Sequence, residues 1–560
     1  MNFKWNRPLA VLTVVVLWAI AYLPGLGASE IRGEEGRRIL PALTMLQDGN
    51  WVLPQVGGET YFNKPPGLNW IIAGSMALTG RRDELAARLP SVLGMLAVAL
   101  AMVLLPSPVM GLRARLASAL VFLTGVGVLE KGRLIEIEAV YLAFAGLALL
   151  FWLSRYPDRP RGYATWVAPS LLLAAGTLLK GPFLAAGYYP ILVAVLAYRG
   201  RLRDLLCPAH LLGVALILLI DGGWVALAMH QQHISAMTEQ WQTQLSNRLW
   251  PEEIRLSQWA GQLGLALVLL MPYLLAAPLL WTPQVQTGMD AFAQGMFKGL
   301  RLGCVLGFLL LAGMPGGLSR YVLPVWPAVA LALGWALERH VRVLLSDRIW
   351  KAVLVGGAFI MALVAGLALA VEGVSLATLA IAAAAAAAVF AVLQWRNRLA
   401  GGFALTFATA CLLGLAAVEY NLLGEPFRRA GETRRQAGAA VNELVPAGQT
   451  LCVYRPGLKP FSLARPYSEA SYVSWLYYVR SPIRYLLEPA QLDRRVHYLL
   501  VSKVNLEQDD LAGRIAQLGG RLMDDASGRL SEDYCLYRFE SQAGQSQAGD
   551  ASTASSSRNG

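Results

Sequence analysis

Apolar segments of roughly 20 residues recur along most of this chain, and each is long enough to cross a lipid bilayer. Of the 560 residues, 56% are hydrophobic and only 15% are charged, whereas soluble domains carry about 25% charged residues. We therefore predict a polytopic α-helical membrane protein with about 13 transmembrane helices. These helices are predicted to begin near Leu9, Glu84, Ala114, Ile137, Tyr163, Pro182, Cys207, Gln258, Met296, Tyr321, Trp350, Ser375 and Gly402.

The placement of arginines predicts how these helices are oriented. Except for the neutral to slightly acidic loop 282–295, the loops that follow even-numbered helices are rich in arginine. This indicates that they lie in the cytoplasm together with the N-terminus. The arginines concerned are Arg113, Arg115, Arg155, Arg159, Arg161, Arg199, Arg201, Arg203, Arg339, Arg342, Arg348, Arg396 and Arg398. An odd number of crossings then places the C-terminal part outside. Because the net charge of +12 is spread over loops, a nucleic-acid-binding face is not expected.

Residues 425–540 have a different character and predict a small C-terminal extracytoplasmic α/β domain, whereas residues 1–424 form the predicted transmembrane domain. Helices are predicted over RRQAGAAVNELV and DDLAGRIAQLGG, and strands over QTLCVYR, HYLLVSK and EDYCLYRFE. Residues 541–560 are rich in Ser, Gly and Ala and are predicted to be disordered. No CxxC pair occurs, which argues against a zinc or thioredoxin-type site. Cys452 and Cys535 fall in predicted strands, and a disulfide between them is left open.

The first external loop, residues 29–83, holds an unusual set of charged residues. Apolar residues at helical spacing in RRILPALTML predict a helix in the plane of the membrane interface. Glu34 and Glu35 precede this helix, where acidic residues also simply favour a helix start. Further on, YFNKPPGLNW presents Lys64 beside two prolines that restrict the backbone. This stretch is either a plain loop at the membrane surface or an element that binds a lipid phosphate.

Four more external connections carry charged or aromatic residues next to the membrane. These are Glu136 and Glu138, Lys180, Arg248, and Arg320 with Tyr321. Two carboxylates two residues apart on a helix point in different directions, so we expect at most one glutamate to face a site, and we favour Glu138. A single cation here is usually explained by snorkelling. Acids and cations together on one face instead predict a cavity for a phosphate-bearing ligand, and group transfer from a lipid phosphate.

Four motifs resemble those of the GT-C class of glycosyltransferases, which use lipid-linked sugars. The motifs are GEEGRR, NWVLPQVGGETYFNKPPGLNW, LLKGPF and SRYVLPVWP. The nearest branch is that of the bacterial 4-amino-4-deoxy-L-arabinose transferases of lipid A, which are related to the protein O-mannosyltransferases. The resemblance implies a GT-C fold, a polyprenyl-phosphate sugar donor and an inverting transfer. It also implies a bacterial inner membrane, with the C-terminal domain in the periplasm.

The resemblance further implies roles for individual residues. Glu34 takes the place of the usual catalytic aspartate, Glu35 matches directly, and Glu138 falls where a second acidic residue begins the fourth crossing. The residues assigned to the donor phosphate are Lys64, Arg37, Lys180 and Arg320. The residues assigned to further substrate contacts are Tyr61, Tyr321 and Arg248.

The sequence departs from the family pattern in two respects. Glutamate replaces aspartate at both acidic positions, and Gln244 stands where relatives often have an acid before Arg248. The sugar and the acceptor stay undetermined; the acceptor is a lipid A-like glycolipid, another glycan or a protein. No tight Asp, Glu and His cluster is present, so we expect no cofactor and leave a divalent-metal requirement open.

Two other functions stay in contention. A polyprenyl-lipid transporter or flippase would place functional charges near the middle of the membrane, and Asp221 is the only acid inside an apolar run. An interhelical hydrogen bond explains Asp221 at least as well. A non-catalytic membrane scaffold is the third possibility.

Overall fold

A computed structural model describes most of the chain and divides it into two compact units. The described residues are 5–56, 59–60, 64–231, 242, 245–249, 251, 255–339, 352, 354–363, 380, 383–384, 387, 390, 402–422, 433–454, 475–508, 511–523 and 534–539. The helical unit comprises Met1–Ser29, Asn50–Leu53 and Phe62–Ala430. The sheet unit comprises Glu30–Gly49, Pro54–Tyr61 and Gly431–Gly560.

The helices follow the predicted apolar runs. In chain order they are α1 (Arg7–Tyr22), α2 (Gly36–Asp48), α3 (Gly67–Thr79), α4 (Glu84–Leu104), α5 (Leu112–Thr124), α6 (Val126–Lys131), α7 (Ile137–Arg155), α8 (Tyr163–Lys180), α9 (Leu184–Tyr198), α10 (Pro208–Gln231), α11 (Leu256–Leu269), α12 (Pro283–Gln286), α13 (Ala291–Ala312), α14 (Trp326–Arg339), α15 (Leu354–Leu363), α16 (Gly402–Leu422), α17 (Thr433–Leu444), α18 (Lys503–Gln508) and α19 (Leu511–Gln517). Short 3-10 helices span Leu202–Leu206, Tyr273–Trp281, Ser319–Val325, Trp475–Tyr478 and Pro489–Gln491.

The described part of the chain contains six helices long and apolar enough to cross a membrane, and seven if the pair α11 and Tyr273–Trp281, bent by 87°, is one span. The chain is therefore a multi-pass membrane protein. Where the structure describes both the predicted and the observed start, the two lie within five residues of each other, and the largest offsets are Ala291 against Met296 and Trp326 against Tyr321. The crossing predicted near Ser375 lies outside the described residues, and the total of thirteen stays a prediction.

Small residues allow two of the helices to approach closely. Along α13, glycines recur every fourth residue at Gly295, Gly299, Gly303 and Gly307. A Cβ on Gly299 would lie 2.4 Å from the Cα of Val195 in α9, and one on Gly303 would lie 2.3 Å from the Cα of Ile191. Membrane helices commonly associate through such small residues, because the hydrophobic effect does not drive helix association within lipid and close van der Waals packing does.

The arginine-rich end of the helical unit is held together by one buried carboxylate. Asp204 is fully buried and accepts hydrogen bonds from Arg161 Nε at 2.9 Å, Arg201 Nε at 3.0 Å and Tyr156 Oη at 2.9 Å. Burial by itself raises the pKa of Asp204, but the bonds from Arg201, Arg161 and Tyr156 outweigh it and hold the pKa below the usual value. The carboxylate therefore joins the loop after α7 to the loop after α9.

In the sheet unit, five strands form a mixed sheet. They are β3 (Leu451–Tyr454), β4 (Ile483–Leu486), β5 (Tyr498–Ser502), β6 (Arg521–Leu522) and β7 (Tyr534–Arg538), after the hairpin β1 (Gln55–Val56) and β2 (Glu59–Thr60). The strand order is β4-β3-β5-β7-β6, with β3 parallel to β4 and β5 and with β7 antiparallel to β5 and β6. The predicted three strands and two helices of this segment are confirmed; β4 and β6 were not predicted. The predicted boundary at residue 425 and the disordered tail fall on residues outside the described part.

Most of the first half of the predicted external loop, Glu30–Gly49 and Pro54–Tyr61, belongs to the sheet unit. From the sequence, this loop was assigned to the transmembrane domain. The helix predicted over RRILPALTML is confirmed as α2. Ile31 N–H donates a hydrogen bond to Tyr478 Oη at 2.7 Å, and Glu30 forms an ion pair with Arg434 at 3.4 Å. These contacts join two segments more than 400 residues apart in the chain, with separations of 447 and 404.

The sequence left open a disulfide between Cys452 and Cys535, but in the structure both cysteines are free thiols and are buried. Cys452 on β3 pairs with Leu499 on β5, and Cys535 on β7 pairs with Val501 on the other side of β5. Two inter-strand spacings separate the cysteines, about 9.5 Å, whereas a disulfide needs Cα atoms less than about 7 Å apart.

We predict that Asp204→Asn destabilises the helical unit by about 1–3 kcal/mol, because the neutral amide loses charge-assisted bonds while both arginines stay accessible to water. Thermal unfolding in detergent should show a lower melting temperature than for Asp158→Asn, an exposed control in the loop after α7. Because the folded-state pKa of Asp204 is depressed, its contribution is present above the unfolded value of about 3.9 and is lost as the pH falls through the folded value. Equal melting of both variants at neutral pH would contradict the assigned role.

Candidate active site

Three helix ends of the helical unit bring a carboxylate and two cations together. Glu138 lies in the first turn of α7, Lys180 is the last residue of α8, and Arg320 belongs to the 3-10 helix before α14. Glu138 Oε1 is 2.7 Å from Lys180 Nζ and 3.0 Å from Arg320 Nε. The side chains of Glu138 and Lys180 are only 5% and 8% exposed. Buried charges of this kind require mutual compensation.

Glu136 also contacts a cation of the cluster, but of the two glutamates only Glu138 lines the adjoining cavity, as expected. Arg320 Nη1 lies 3.7 Å from Glu136 Oε2, and Lys131 Nζ lies 3.1 Å from the same oxygen. The prediction assumed that both glutamates are helical. Glu136 instead precedes α7 in an extended conformation, with φ −105° and ψ 156°, and helical periodicity does not apply to it. Lys131 was not predicted, although EKGRLIEIE signals a dense group of charges.

Aromatic rings surround the cations of the cluster. Lys180 Nζ lies 4.2 Å from the ring centre of Tyr321. The guanidinium carbon of Arg248 lies 5.4 Å from the same ring and 5.8 Å from that of Phe183. Tyr141 Oη donates to the carbonyl of Gly181, just after α8, at 2.8 Å. Cation–π contacts of this kind hold a positive charge in place without neutralising it.

These side chains line a cavity of about 330 Å³. Its lining residues are Glu138, Tyr141, Lys180, Phe183, Arg248, Leu311, Arg320, Tyr321 and Pro324. Three cations against one carboxylate give the lining a net charge of +2. The arrangement suits an anionic group such as a phosphate, which Lys and Arg bind through charge-assisted hydrogen bonds.

The KPPG stretch packs against the same helix end as Lys180. A Cβ on Gly67 would lie 2.7 Å from the carbonyl oxygen of Leu178 in α8, so only glycine fits there. Trp70 Nε1 donates to the carbonyl of Trp51 at 2.7 Å, which anchors α3 to the preceding loop. Lys64 is half-buried and precedes the buried prolines of this stretch.

Asp221 has a packing contact rather than a place at the cavity. Thr177 Oγ1 in α8 donates to Asp221 Oδ2 in α10 at 2.6 Å. The prediction that an interhelical hydrogen bond explains this acid is confirmed. Thr177 also accepts from Gly181 N–H through its carbonyl at 2.7 Å. The contact thus braces the last turn of α8, which carries Lys180.

In the sheet unit, the acidic pair precedes α2 as predicted but has two different environments. The side chain of Glu34 is 28% exposed and forms an ion pair with Arg38 at 3.0 Å. Glu35 is fully buried and accepts the backbone N–H of Arg32 at 3.0 Å. Arg37 is half-buried. Arg38 was not among the predicted residues, although its spacing of four from Glu34 is a standard helical ion-pair spacing.

The structure thus gathers Glu138, Lys180, Arg248, Arg320 and Tyr321 around one cavity. Tyr61 and Gln244 lie outside the described residues. Within the described residues, no group of three or more His, Cys, Asp or Glu side chains is arranged to hold a metal ion.

We predict that Gly67→Ala costs about 1–3 kcal/mol of stability, because its methyl group would overlap the backbone of α8. The matched control is Gly74→Ala in the same helix, where an added Cβ meets nothing within 4 Å and helix propensity improves. Melting temperatures in detergent should fall for Gly67→Ala and hold or rise for Gly74→Ala. A stable Gly67→Ala variant would show that α3 is free to move away from α8.

Comparisons with known proteins agree with this architecture. Residues 63–223 match the family described as dolichyl-phosphate-mannose-protein mannosyltransferase. An undecaprenyl phosphate-alpha-4-amino-4-deoxy-L-arabinose arabinosyl transferase of Pseudomonas fluorescens is 29% identical over 350 residues, which are 60% of each chain. Its counterpart from Edwardsiella ictaluri is 27% identical over 348 residues, 58% of this chain and 59% of the relative. The chain thus matches about 60% of the length of these curated relatives.

A solved structure extends the similarity to nearly the whole fold. The crystal structure of ArnT from Cupriavidus metallidurans bound to undecaprenyl phosphate superposes with a TM-score of 0.69 at 18% identity. The match covers 95% of this chain and 98% of that one. The apo form of the same protein gives a TM-score of 0.64. The chain therefore has the fold of ArnT, and it resembles the GT-C membrane glycosyltransferases to which ArnT and the protein mannosyltransferases belong.

Proposed function

We propose that this protein is an integral-membrane glycosyltransferase that moves a sugar from a polyprenyl-phosphate carrier to an acceptor on the external face of the membrane. The observation that carries the proposal is the cavity where Lys180, Arg248 and Arg320 surround Glu138. A net positive, partly aromatic cavity at helix ends suits the phosphate of a lipid whose chain stays in the membrane. The names of the bacterial relatives and the undecaprenyl phosphate bound to ArnT support the same donor class.

Arg248 is the cation best suited to receive the phosphate. Lys180 and Arg320 are paired with Glu138, whereas the guanidinium of Arg248 lies over the faces of Phe183 and Tyr321 and forms no ion pair among the described residues. A guanidinium held by rings keeps its hydrogen-bond donors for a ligand. Lys180 and Arg320 then add positive charge next to it.

The proposed reaction is a displacement at the anomeric carbon of the donor sugar. The acceptor oxygen forms the new glycosidic bond, and a carboxylate takes the proton of the acceptor hydroxyl. The bond between the anomeric carbon and the phosphate oxygen breaks, and its electron pair goes to the phosphate. The cations of the cavity stabilise this growing negative charge. A single displacement inverts the anomeric configuration.

We assign the base to Glu34 and a positioning role to Glu138. Glu34 is the more accessible of the two acids before α2, with 28% exposure against complete burial of Glu35. The motif resemblance also implies that Glu34 takes the place of the usual catalytic aspartate. Glu138 holds Lys180 and Arg320 at 2.7 and 3.0 Å, so its carboxylate orients the cations that act on the phosphate.

The same proposal sets the location and the cofactor requirement. We place the protein in a bacterial inner membrane, with the N-terminus in the cytoplasm and the C-terminal domain in the periplasm, on the basis of its arginine distribution and its bacterial relatives. The cavity supplies its own cations for the phosphate, so we propose that turnover needs no metal. Transfer assays with and without EDTA test this point.

The flippase alternative is less well supported. It calls for charges that serve a ligand near the middle of the membrane, whereas the carboxylate of Asp221 accepts a hydrogen bond from Thr177 between two helices. The charged cavity lies instead at the ends of α7 and α8. This favours chemistry at one membrane face.

We predict that Arg248→Met weakens binding of undecaprenyl phosphate about 10- to 100-fold, the value of one or two charge-assisted hydrogen bonds. Binding is measured by native mass spectrometry of the purified protein titrated with the lipid. Arg159→Met is the matched control, because Arg159 is exposed in the loop after α7. Binding that is unchanged in Arg248→Met would exclude this cavity as the phosphate site.

We predict that Glu34→Gln lowers transfer of sugar from a polyprenyl-phosphate donor about 10²- to 10⁴-fold, because the amide cannot accept the acceptor's proton. Binding of the polyprenyl phosphate should stay within about twofold of wild type. Asp493→Asn, an exposed acid of the sheet unit, is the control. Full activity of Glu34→Gln would move the base elsewhere, whereas loss of lipid binding together with activity would point to a structural role.

A further inference from the structure

A second cavity lies at the arginine-rich end of the helical unit. It has a volume of about 490 Å³ and lies between the ends of α4, α5, α7, α13 and α14. Its walls are mostly apolar, with Met102, Leu150, Leu300 and Trp335 among them. Along α7, this cavity is separated from Glu138 by the 16 residues to Ser154, about 24 Å of helix. It is therefore distinct from the candidate active site.

Arg115 is the one charged residue among those that line this cavity. The residue is 8% exposed. Its Nη1 donates to the carbonyls of Val103 at 3.0 Å and Leu105 at 2.7 Å, which satisfies the C-terminal end of α4. Its Nε is buried and has no hydrogen-bond partner among the described residues. One edge of the guanidinium is thus left over after the capping contacts.

The charge of Arg115 is also uncompensated. Across the described parts of the chain, no carboxylate forms an ion pair with it, and Arg7 is close enough for its positive charge to repel it. Removing a charge from water without a partner is costly. From the sequence, Arg115 was interpreted as a loop arginine that only determines the orientation of the helices in the membrane. In the structure its side chain is buried and lines the cavity. Such a group indicates a missing anion.

We propose that this cavity binds an anionic membrane lipid, with the phosphate of its headgroup on the free edge of Arg115 and an acyl chain along the apolar walls. The free Nε edge matches the bidentate geometry in which arginine binds phosphate oxygens. The apolar walls do not suit a free inorganic ion, but they do suit a hydrocarbon chain. The rim includes the partly exposed Leu105 and Val109 and the exposed Pro106, which gives the lipid a path of entry.

The surroundings of the cavity favour the same ligand. Arg155 follows Ser154 at the end of α7, and Arg339 ends α14 one turn after Trp335. An end rich in arginine is the cytoplasmic end by the positive-inside rule, and the cytoplasmic leaflet is the one enriched in anionic lipids. The site thus lies where the ligand is abundant.

The test uses the full-length protein, delipidated in mild detergent and titrated with phosphatidylglycerol in native mass spectrometry. The wild-type protein should bind one molecule of phosphatidylglycerol, and phosphatidylcholine should not displace it. Arg115→Met should weaken this binding at least tenfold, and Arg115→Lys should restore part of it. Arg113→Met is the control, since Arg113 is exposed and lies against Phe403.

A second pair of variants leaves Arg115 in place, because its loss also removes the cap of α4. Ala101 lines the cavity, so Ala101→Phe should fill it and also reduce phosphatidylglycerol binding at least tenfold. Leu104→Phe, at a 49% exposed position of the same helix, should bind like wild type. Retention of the lipid by Ala101→Phe would overturn the proposal whatever the behaviour of Arg115→Met. Displacement of the lipid by millimolar inorganic phosphate would also overturn it, since the anion alone would then suffice.

Discussion

Glu138 compensates two cations at once, and the arrangement of the helical unit at this end depends on that ion-pair cluster. Its carboxylate oxygen receives Lys180 from the end of α8 and Arg320 from the segment before α14. None of the three groups can be removed from water alone at reasonable cost. Their pairing therefore ties the start of α7, the end of α8 and the approach to α14 together. The cavity beside them inherits an excess of positive charge because Arg248 is added without a further acid.

The close packing of α3 against α8 beside this cluster explains the glycine of the YFNKPPGLNW stretch. Gly67 is required because the carbonyl of Leu178 leaves no space for a side chain. The two buried prolines restrict the backbone before α3, and Trp70 anchors the helix to the loop at Trp51. Lys64 is thereby carried on a rigid segment that is packed against α8.

The arginine-rich end of the helical unit holds its arginines in two different ways. Arg161 and Arg201 stay at the surface and share the buried carboxylate of Asp204. At the same end Arg115 turns inward and has only carbonyl partners among the described residues. The first arrangement is complete within the protein, because acid and base are both present. The second is complete only with an anion from outside, which is why the membrane lipid is the natural ligand.

Much of the architecture follows from local sequence properties. Hydropathy predicted the starts of the described helices to within five residues. The family motifs also selected Glu138, Lys180, Arg248, Arg320 and Tyr321, which the structure gathers around one cavity. These successes have one cause, since the length, polarity and termination of a membrane helix depend on residues near in sequence. The alternation of strands and helices after residue 433 was likewise legible from local patterns.

Contacts between distant residues were decided only by the tertiary structure. Helical spacing predicted that only one of the two glutamates faces a site, and only Glu138 lines the cavity. It did not predict that Arg320 contacts both acids, which is possible because the chain is extended at Glu136. Cys452 and Cys535 were plausible partners until β5 was found between their strands. Nothing in the neighbouring sequence distinguishes Arg115 and Asp221 from ordinary loop and helix residues. In the structure, Arg115 lines an apolar cavity and Asp221 accepts a hydrogen bond from Thr177. A side chain's partner depends on which segments pack against it, and that is a property of the whole fold rather than of the neighbouring sequence.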